Sequence, residues 1–333
     1  MATTYVRNDQ GEFELVGPGG ATTDTTLSQS GKPADASAVG VALANKVTKE
    51  YVDTSIASFS NPNLLINGDF QIWQRGESFS NIENQYTADR WLIKNAKAKT
   101  SLVEMSTDVP SSDFMRYSIH MTETSEENSY LRYMFEYGLK GTYTLSFWYK
   151  TSAAFNSYIY DNGALVYLGK QTTLNTWTKA IYTFTVTSMT FLSIIHAMSI
   201  GDTYITGVKL ECGSTATPFA PRLYAEELAL CQRYYIKTNG IRLPIIHGTS
   251  SLFMTIPLTT TMRVIPTIIF SKTNIVIVRD NMSTSLNCTI GANRVNMTST
   301  HLILTIDSNY GSDVFQTGCV AEDFPIAFDA EIY

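Results

Sequence analysis

From residue 61 onward, short apolar runs and apolar/polar alternation are cut by turn residues. TYTLSFWYK (142–150), TWTKAIYTFTV (176–186) and MTFLSIIHAM (189–198) read as strands, because β-branched and aromatic side chains pack well on a pleated, half-buried surface. In SYIYDNGALVYLG (157–169) Asp161-Asn162-Gly163 stands between two such segments, the signature of a tight hairpin. Alternation places Tyr158 and Tyr160 on one common face of that hairpin. NPNLLINGDFQIWQRG (61–76) and YITGVKL (204–210) frame the region. In the first, Leu64-Leu65-Ile66 form a buried-strand run, Asn67-Gly68-Asp69 a turn, and Phe70, Ile72 and Trp73 resume the apolar pattern. In the second, Gly207 marks a place where a strand bulges or lets another backbone approach. Regular strand spacing predicts one antiparallel β-sandwich, or jelly roll, over residues 61–222, with these two segments as its first and last strands.

The period changes on either side of the sandwich. Residues 1–33 contain a β-like piece, Glu12 to Val16, and then GPGGATTDTT, which breaks regular structure and predicts an extended arm. Residues 34–60 begin with a helix-start signal at Pro33-Ala34-Asp35 and space Val39, Leu43, Val47, Tyr51 and Ile56 about four apart. A lone helix cannot bury such a stripe, which leaves a docked helix or a three-helix stalk as the two arrangements. LYAEELALCQRYYIK (223–237) returns to helical spacing at Leu223, Glu226, Glu227, Leu230 and Tyr234 and predicts a short connecting helix. Strand-and-turn rhythm then resumes over 238–333 as a small carboxy-terminal β domain. The expected class is mainly β.

Composition agrees with that class and narrows the functions. Charged residues make up 16% of the chain, against about 25% in typical domains, and Thr, Ser, Asn and Tyr fill the difference. A formal net charge of −6 with scattered Lys and Arg argues against a nucleic-acid partner. The amino terminus carries charge where a signal peptide would be apolar, and no run is long enough to insert in a membrane. Cys212, Cys231, Cys288 and Cys319 lie far apart without a Cys-x-x-Cys pair; buried free thiols are expected, with two disulfides as the alternative. His120, His196, His247 and His301 show no metal-ligand spacing and read as ordinary core or surface residues. GPGG lacks the Lys-Ser/Thr of a phosphate loop, and no Gly-x-Ser-x-Gly elbow occurs. No catalytic residue is assigned and a non-enzyme is expected, although a glycosidase carboxylate pair leaves no linear signature.

The composite of NLLINGDFQIWQRG, ADRW, VKLECGSTATPFAPR and EELALCQRYYIK resembles the sandwich-plus-helix segment of bacteriophage tail-fibre and receptor-binding proteins. Head fibres share the group. The sandwich itself is similar to jelly-roll carbohydrate-binding modules, in which an early N-G-D-F turn lies beside a closing V-x-L-E strand. LSQSGKPADASAVGVALANK resembles a linker of phage fibre and baseplate-associated proteins, and MRVIPTIIF with AFDAEIY looks like a fibre tip domain. The resemblance implies a virion component, synthesised in the host cytoplasm, assembled as a homotrimer and attached to a capsid or tail protein through residues 1–33. It further implies adhesion to host cell-surface polysaccharide. The alternatives are a head fibre or decoration protein without a receptor pocket, and a polysaccharide-degrading fibre.

Within that frame Tyr158, Tyr160 and Tyr167 are the candidate ligand-binding residues, since aromatic faces stack on sugars. Trp73, Trp91, Trp148 and Trp177 could do the same, but core packing is favoured for all four. The resemblance to sugar-binding modules would allow calcium at Asp69 and Asp89, the only cofactor considered; Asp69 alternatively caps its own turn. Arg75 and Arg90 either pair with carboxylates inside the fold or face an acidic sugar, with internal pairing favoured.

Overall fold

A computed structural model describes residues 4–7, 10–16, 39, 61–95, 100–111, 114–124, 129–172, 175–238, 246–247, 251–270, 274–278, 285–289, 295–297, 301–307, 320–321 and 326–333. These fall into two units, 1–60 and 61–333. In the first, β1 (Thr4–Arg7) and β2 (Phe13–Val16) form an antiparallel hairpin, with Thr4 opposite Val16 and Arg7 opposite Phe13. Apart from Val39, the helix expected over 34–60 lies outside the described residues, as does most of the arm at 1–33.

Two long strands organise the second unit. Its sandwich comprises β3 (Ser78–Ile82), β4 (Gln85–Tyr86), β5 (Trp91–Asn95), β6 (Thr100–Ser106), β7 (Ser118–Glu123), β8 (Ser129–Thr151), β9 (Phe155–Asp161), β10 (Ala164–Gln171), β11 (Thr178–Met198) and β12 (Gly201–Cys212). β8 and β11 pair along their whole lengths. Odd-numbered β8 residues are buried at both ends, Leu131 and Tyr133 at one, Leu145, Phe147 and Tyr149 at the other, while the middle is exposed. All five belong to one core cluster. The sheet therefore folds back on its own inner face. One layer is β4-β5-β8-β11-β9-β10 and the other β11-β8-β12-β7-β6-β3, each using a different half of the long strands. Glycines sit at the bend: Gly141 has φ 131°, and a Cβ on Gly138 would meet Ser188 Oγ at 2.4 Å.

This is the antiparallel sandwich that the strand pattern predicts, with local differences. The segments 176–186 and 189–198 are one strand, not two. The Asp161 carboxylate accepts from the backbone N–H of Thr187 at 3.0 Å and of Ser188 at 2.6 Å, holding the irregular step inside the ladder. The β9–β10 turn has Asn162 at φ 46° and Gly163 at φ 84°, the left-handed pair that a two-residue hairpin of type I′ needs. Residues 61–73 do not form a regular strand, because Asn67 and Phe70 take φ 59° and 53°. They still run beside β12 as expected, Leu64 N–H donating to the Leu210 carbonyl at 2.9 Å and Val208 N–H to that of Gly68 at 2.8 Å. Gly207, at φ 59°, is the expected bulge: β12–β8 pairing slips between Thr206 and Lys209.

After the sandwich come α1 (Tyr224–Gln232) and β13 (Tyr235–Thr238), so the helix expected over 223–237 is shorter and its last residues enter a strand. β14 (Ile246–His247), β15 (Ser251–Pro257), β16 (Thr267–Phe270), β17 (Asn274–Val278), β18 (Ser285–Thr289), β19 (Val295–Met297), β20 (His301–Asp307), β21 (Val320–Ala321) and β22 (Ile326–Asp329) complete the chain. They form the sheets β13-β22-β16, β14-β15-β20-β19 and β18-β17-β21. Ile66, Ile72, Cys231 and Tyr234 make a second buried cluster where α1 meets the sandwich. Among the described residues no helix is long and apolar enough to cross a membrane.

Gly68 supplies a test of this packing, since a Cβ there would lie 2.2 Å from the Val208 carbonyl oxygen and 2.9 Å from Asn63 Nδ2. Gly68→Ala is expected to lower stability by roughly 1–3 kcal/mol in denaturant unfolding. An unchanged midpoint would show that residues 61–73 are free to move off β12.

Candidate functional site

A dense hydrogen-bond network is built from the motif residues. Asn67 closes its own loop, with Ile72 N–H donating to its Oδ1 at 3.0 Å and its Nδ2 donating to the carbonyls of Ile72 and Asp89 at 2.9 and 3.0 Å. Its N–H donates to Glu227 of α1 at 2.5 Å, and its carbonyl accepts from Trp91 Nε1 at 2.8 Å. Trp73 and Trp91 are buried, the latter completely, so both serve the core as expected. Arg75 lies 3.6 Å above the Tyr235 ring and reaches Asp89, Asp329 and Glu331 at 3.4–3.6 Å. Arg90 lies 3.6 Å above the neighbouring Tyr234 ring, pairs with Glu331 and donates to the Met134 carbonyl at 2.8 Å. Internal pairing of both arginines is therefore what the structure shows.

The same lattice takes up both calcium candidates. Burial pushes Asp89 up to about 7 against the pull of Arg75, and its carboxylate is occupied by Arg75 and Gln74. Asp69 is pushed up to about 6 by burial and then by Glu227. Among the described residues no group of three or more His, Cys, Asp or Glu side chains is placed to hold a metal ion. Cys231 is a buried free thiol, pushed up by burial, whereas Cys212 is free but exposed, against expectation. Its position at the end of β12 leaves it uncovered. The Cys288 side chain and Cys319 lie outside the described residues.

The outer faces of the two layers differ. On the second layer, part of the face is closed by the chain itself: Lys209 and Glu211, both buried, hold Thr217 and Pro218 over β12, with Lys209 Nζ 3.3 Å from Glu211 and 3.0 Å from the Pro218 carbonyl. The other end stays open. There Glu104 stands opposite His120, His120 opposite Tyr204, and Tyr204 opposite Lys150, one row across β6, β7, β12 and β8. Three strand spacings of about 4.8 Å give the row a length of about 14 Å. His120 lies flat on Tyr204, centroids 4.1 Å apart and planes 2° from parallel. Its Nδ1 is 2.9 Å from Glu104 and its Nε2 3.0 Å from Asp202. Lys150 covers Tyr204 at 4.6 Å and Trp177 at 5.9 Å, and pairs with Asp108, to which Trp177 Nε1 donates at 3.0 Å. Trp148, in the adjacent row, has Lys179 5.9 Å from its ring.

Trp148 and Trp177 thus leave the core role expected of them and face outward, half-buried. Glu104, His120, Lys150, Asp202 and Tyr204 were not legible as a group, since four separate strands contribute them. Tyr158, Tyr160 and Tyr167 occupy the outer face of the first layer. Tyr158 and Tyr160 share a face as predicted, with Phe155, Ser157 and Ile159 turned inward. Tyr167 lies 5.3 Å from Tyr158, while Tyr160 stacks on Phe191 at 4.8 Å.

No protein-family model matches the chain, and no curated protein matches it. Among solved structures it is similar to the enzymatically active domain of tailspike protein 4 from bacteriophage CBA120, at 18% identity and TM-score 0.34, covering 45% of this chain and 21% of that one. It is similar to a putative sugar-binding protein from Bacteroides thetaiotaomicron, at 18% identity and TM-score 0.33, over 46% of this chain and 100% of that one. A third likeness is to TmCBM61, solved with β-1,4-galactotriose, at 15% identity and TM-score 0.34, over 46% of this chain and 99% of that one.

Asp69 makes the lattice sensitive to pH. A carboxyl raised from 3.8 to about 6 in the fold stabilises it fully while protonated, below pH of about 4, and that contribution is lost as pH rises through 6. Asp69→Asn stays neutral throughout. It is expected to match the parent protein at pH 4 and exceed it at pH 8 in urea unfolding; equal stability at both pH values would show that Asp69 is ionised at no cost.

Proposed function

We propose that this chain is a bacteriophage fibre protein that binds host-surface glycans through the open row on its second layer. The observation that carries the binding reading is the row itself, with Tyr204, His120 and Trp177 offering ring surface beside carboxylates that retain free lone pairs. A pyranose lays its apolar face on such rings and bonds its hydroxyls to fixed acceptors. The row is long enough for a short oligosaccharide. Placement in the virion, attachment through residues 1–33 and assembly as a homotrimer are supported by the motif resemblance. Three copies on one rigid particle would raise a weak site's avidity by about 10²–10⁴.

Binding is favoured over hydrolysis by the state of the acids. Hydrogen bonds from Thr122 and His120 hold Asp202 below its ordinary value. Burial works against Asp108, yet Lys150 and Trp177 hold it below as well. A glycosidase acid needs the opposite, a carboxyl raised so that it carries a proton near neutral pH.

Trp177→Ala and Tyr204→Ala are each expected to weaken glycan binding by about tenfold or more, a loss of about 1.4 kcal/mol, with unfolding midpoints close to the parent's. A glycan array followed by calorimetry on the bound oligosaccharide checks this. Parent-like affinity in both variants would sink the row as the site, and release of reducing ends from that oligosaccharide would sink the non-enzyme reading.

A further inference from the structure

The outer face of the first layer carries an arrangement of a different kind. Arg132 projects from β8 between two rings, its guanidinium carbon 4.8 Å from the Tyr130 centroid and 4.7 Å from that of Phe191. Ser193 of β11 stands opposite both Arg132 and Tyr158. Ser193 is small and fully buried, its hydroxyl turned to the Ile195 carbonyl at 3.0 Å, so it adds little height between the arginine and the tyrosine and lies covered beneath the trough that they flank. His196 borders the trough, 4.6 Å from Tyr130 and 4.4 Å from Tyr158. Tyr167, 53% exposed, prolongs the aromatic wall.

The charge here is left open. Arg75, Arg90, Lys150, Lys209 and Arg222 each have a carboxylate within 4 Å. Among the described residues none pairs with Arg132, and its buried Nε has no hydrogen-bond partner. The buried Nδ1 of His196 has none either. Burial pushes Arg132 below its ordinary value, countered by Tyr130 and by no carboxylate. Burial, and then Arg132, push His196 down, so its imidazole is neutral and presents one donor and one acceptor nitrogen. Buried donors without partners cost about 1–3 kcal/mol each, and a guanidinium fork matches a carboxylate's two oxygens.

The geometry points to this trough as a second binding site, independent of the row, that takes a carboxylate-bearing saccharide of the hexuronate class. The carboxylate meets the Arg132 fork, His196 bonds an adjacent hydroxyl, and the sugar rings lie along Tyr158 and Tyr167. Calorimetry of the full chain with an oligogalacturonate, and with the same oligosaccharide after reduction of its carboxyl groups to primary alcohols, tests it. The acidic form is expected to bind at least about tenfold more tightly. Arg132→Lys, which keeps the charge but loses the fork, should erase most of that preference. Lys170→Gln, which removes an exposed charge from the same layer, should keep it. Equal affinity for the two forms in the unmutated chain, or no binding of the acidic one, overturns the proposal without recourse to any variant. So does a preference that survives Arg132→Lys, or one lost equally in Lys170→Gln, the mark of unspecific attraction.

Discussion

The structure from residue 61 onward depends on one buried ionic lattice. Two arginines, one from each half of the early motif, lie on two consecutive tyrosines after α1 and share Glu331 from the end of the chain. Burying such charges is costly unless each is paired and hydrogen-bonded, and stripping one partner from a buried pair typically costs about 3–5 kcal/mol. Here the pairing is spread over Asp89, Asp329 and Glu331, with the Tyr86 hydroxyl bonded to the Ile332 carbonyl beside them. Sequence segments more than 240 positions apart are thereby held in one cluster. This explains why α1 stops where it does: Tyr234 and Tyr235 are needed as platforms for Arg90 and Arg75, and Ala330 N–H donates to the Tyr234 carbonyl at 2.7 Å in the same region. A helix carried on to residue 237 would turn one of the two rings away.

Committing the motif to this lattice has a consequence for function. Trp73, Trp91, Arg75 and Arg90, the side chains that draw the eye in the sequence, are buried and mutually engaged. Recognition is left to residues that alternate outward on strands the lattice holds in place. The two outer faces are then treated differently by the chain. Thr217 and Pro218 close one end of the second layer over Lys209 and Glu211, which turns two strand charges into an internal clasp and confines the open surface to the end bearing Tyr204.

Local features were legible because their causes are local. Asp161-Asn162-Gly163 announces its turn through residues that tolerate left-handed backbone, and Gly207 announces its bulge likewise. The mainly β class followed from β-branched and aromatic content. What escaped has non-local causes. Thr187 and Ser188 look like a break until Asp161, more than twenty positions earlier, is seen to hold them. Trp148 and Trp177 were assigned to the core because alternation fixes which residues share a face, not which face is inner. Glu104, His120, Tyr204 and Lys150 become neighbours only through the register of three strand pairings, and no spacing along the chain encodes that register. Arg132 gave no signal at all, since its distinction is that no carboxylate pairs with it among the described residues.

The open row is shallow, and a shallow site gains little from burial, so its strength must come from order already present. His120 is held between two acids and flat against Tyr204, while Lys150 is held by Asp108 above two rings. Side chains fixed in this way lose little rotamer freedom when a ligand arrives, a saving of about 0.5–1.5 kcal/mol per side chain. The carboxylates of the row, Glu104, Asp202 and Asp108, outnumber its lysine, which suits hydroxyl donors and gives no advantage to an acidic sugar. The Arg132 trough is ordered by rings, and among the described residues its charge is unmatched. One sandwich thus presents two faces of opposite electrostatic character, and the difference is set by the carboxylates beside each cation: Asp108 stands beside Lys150, and among the described residues none stands beside Arg132.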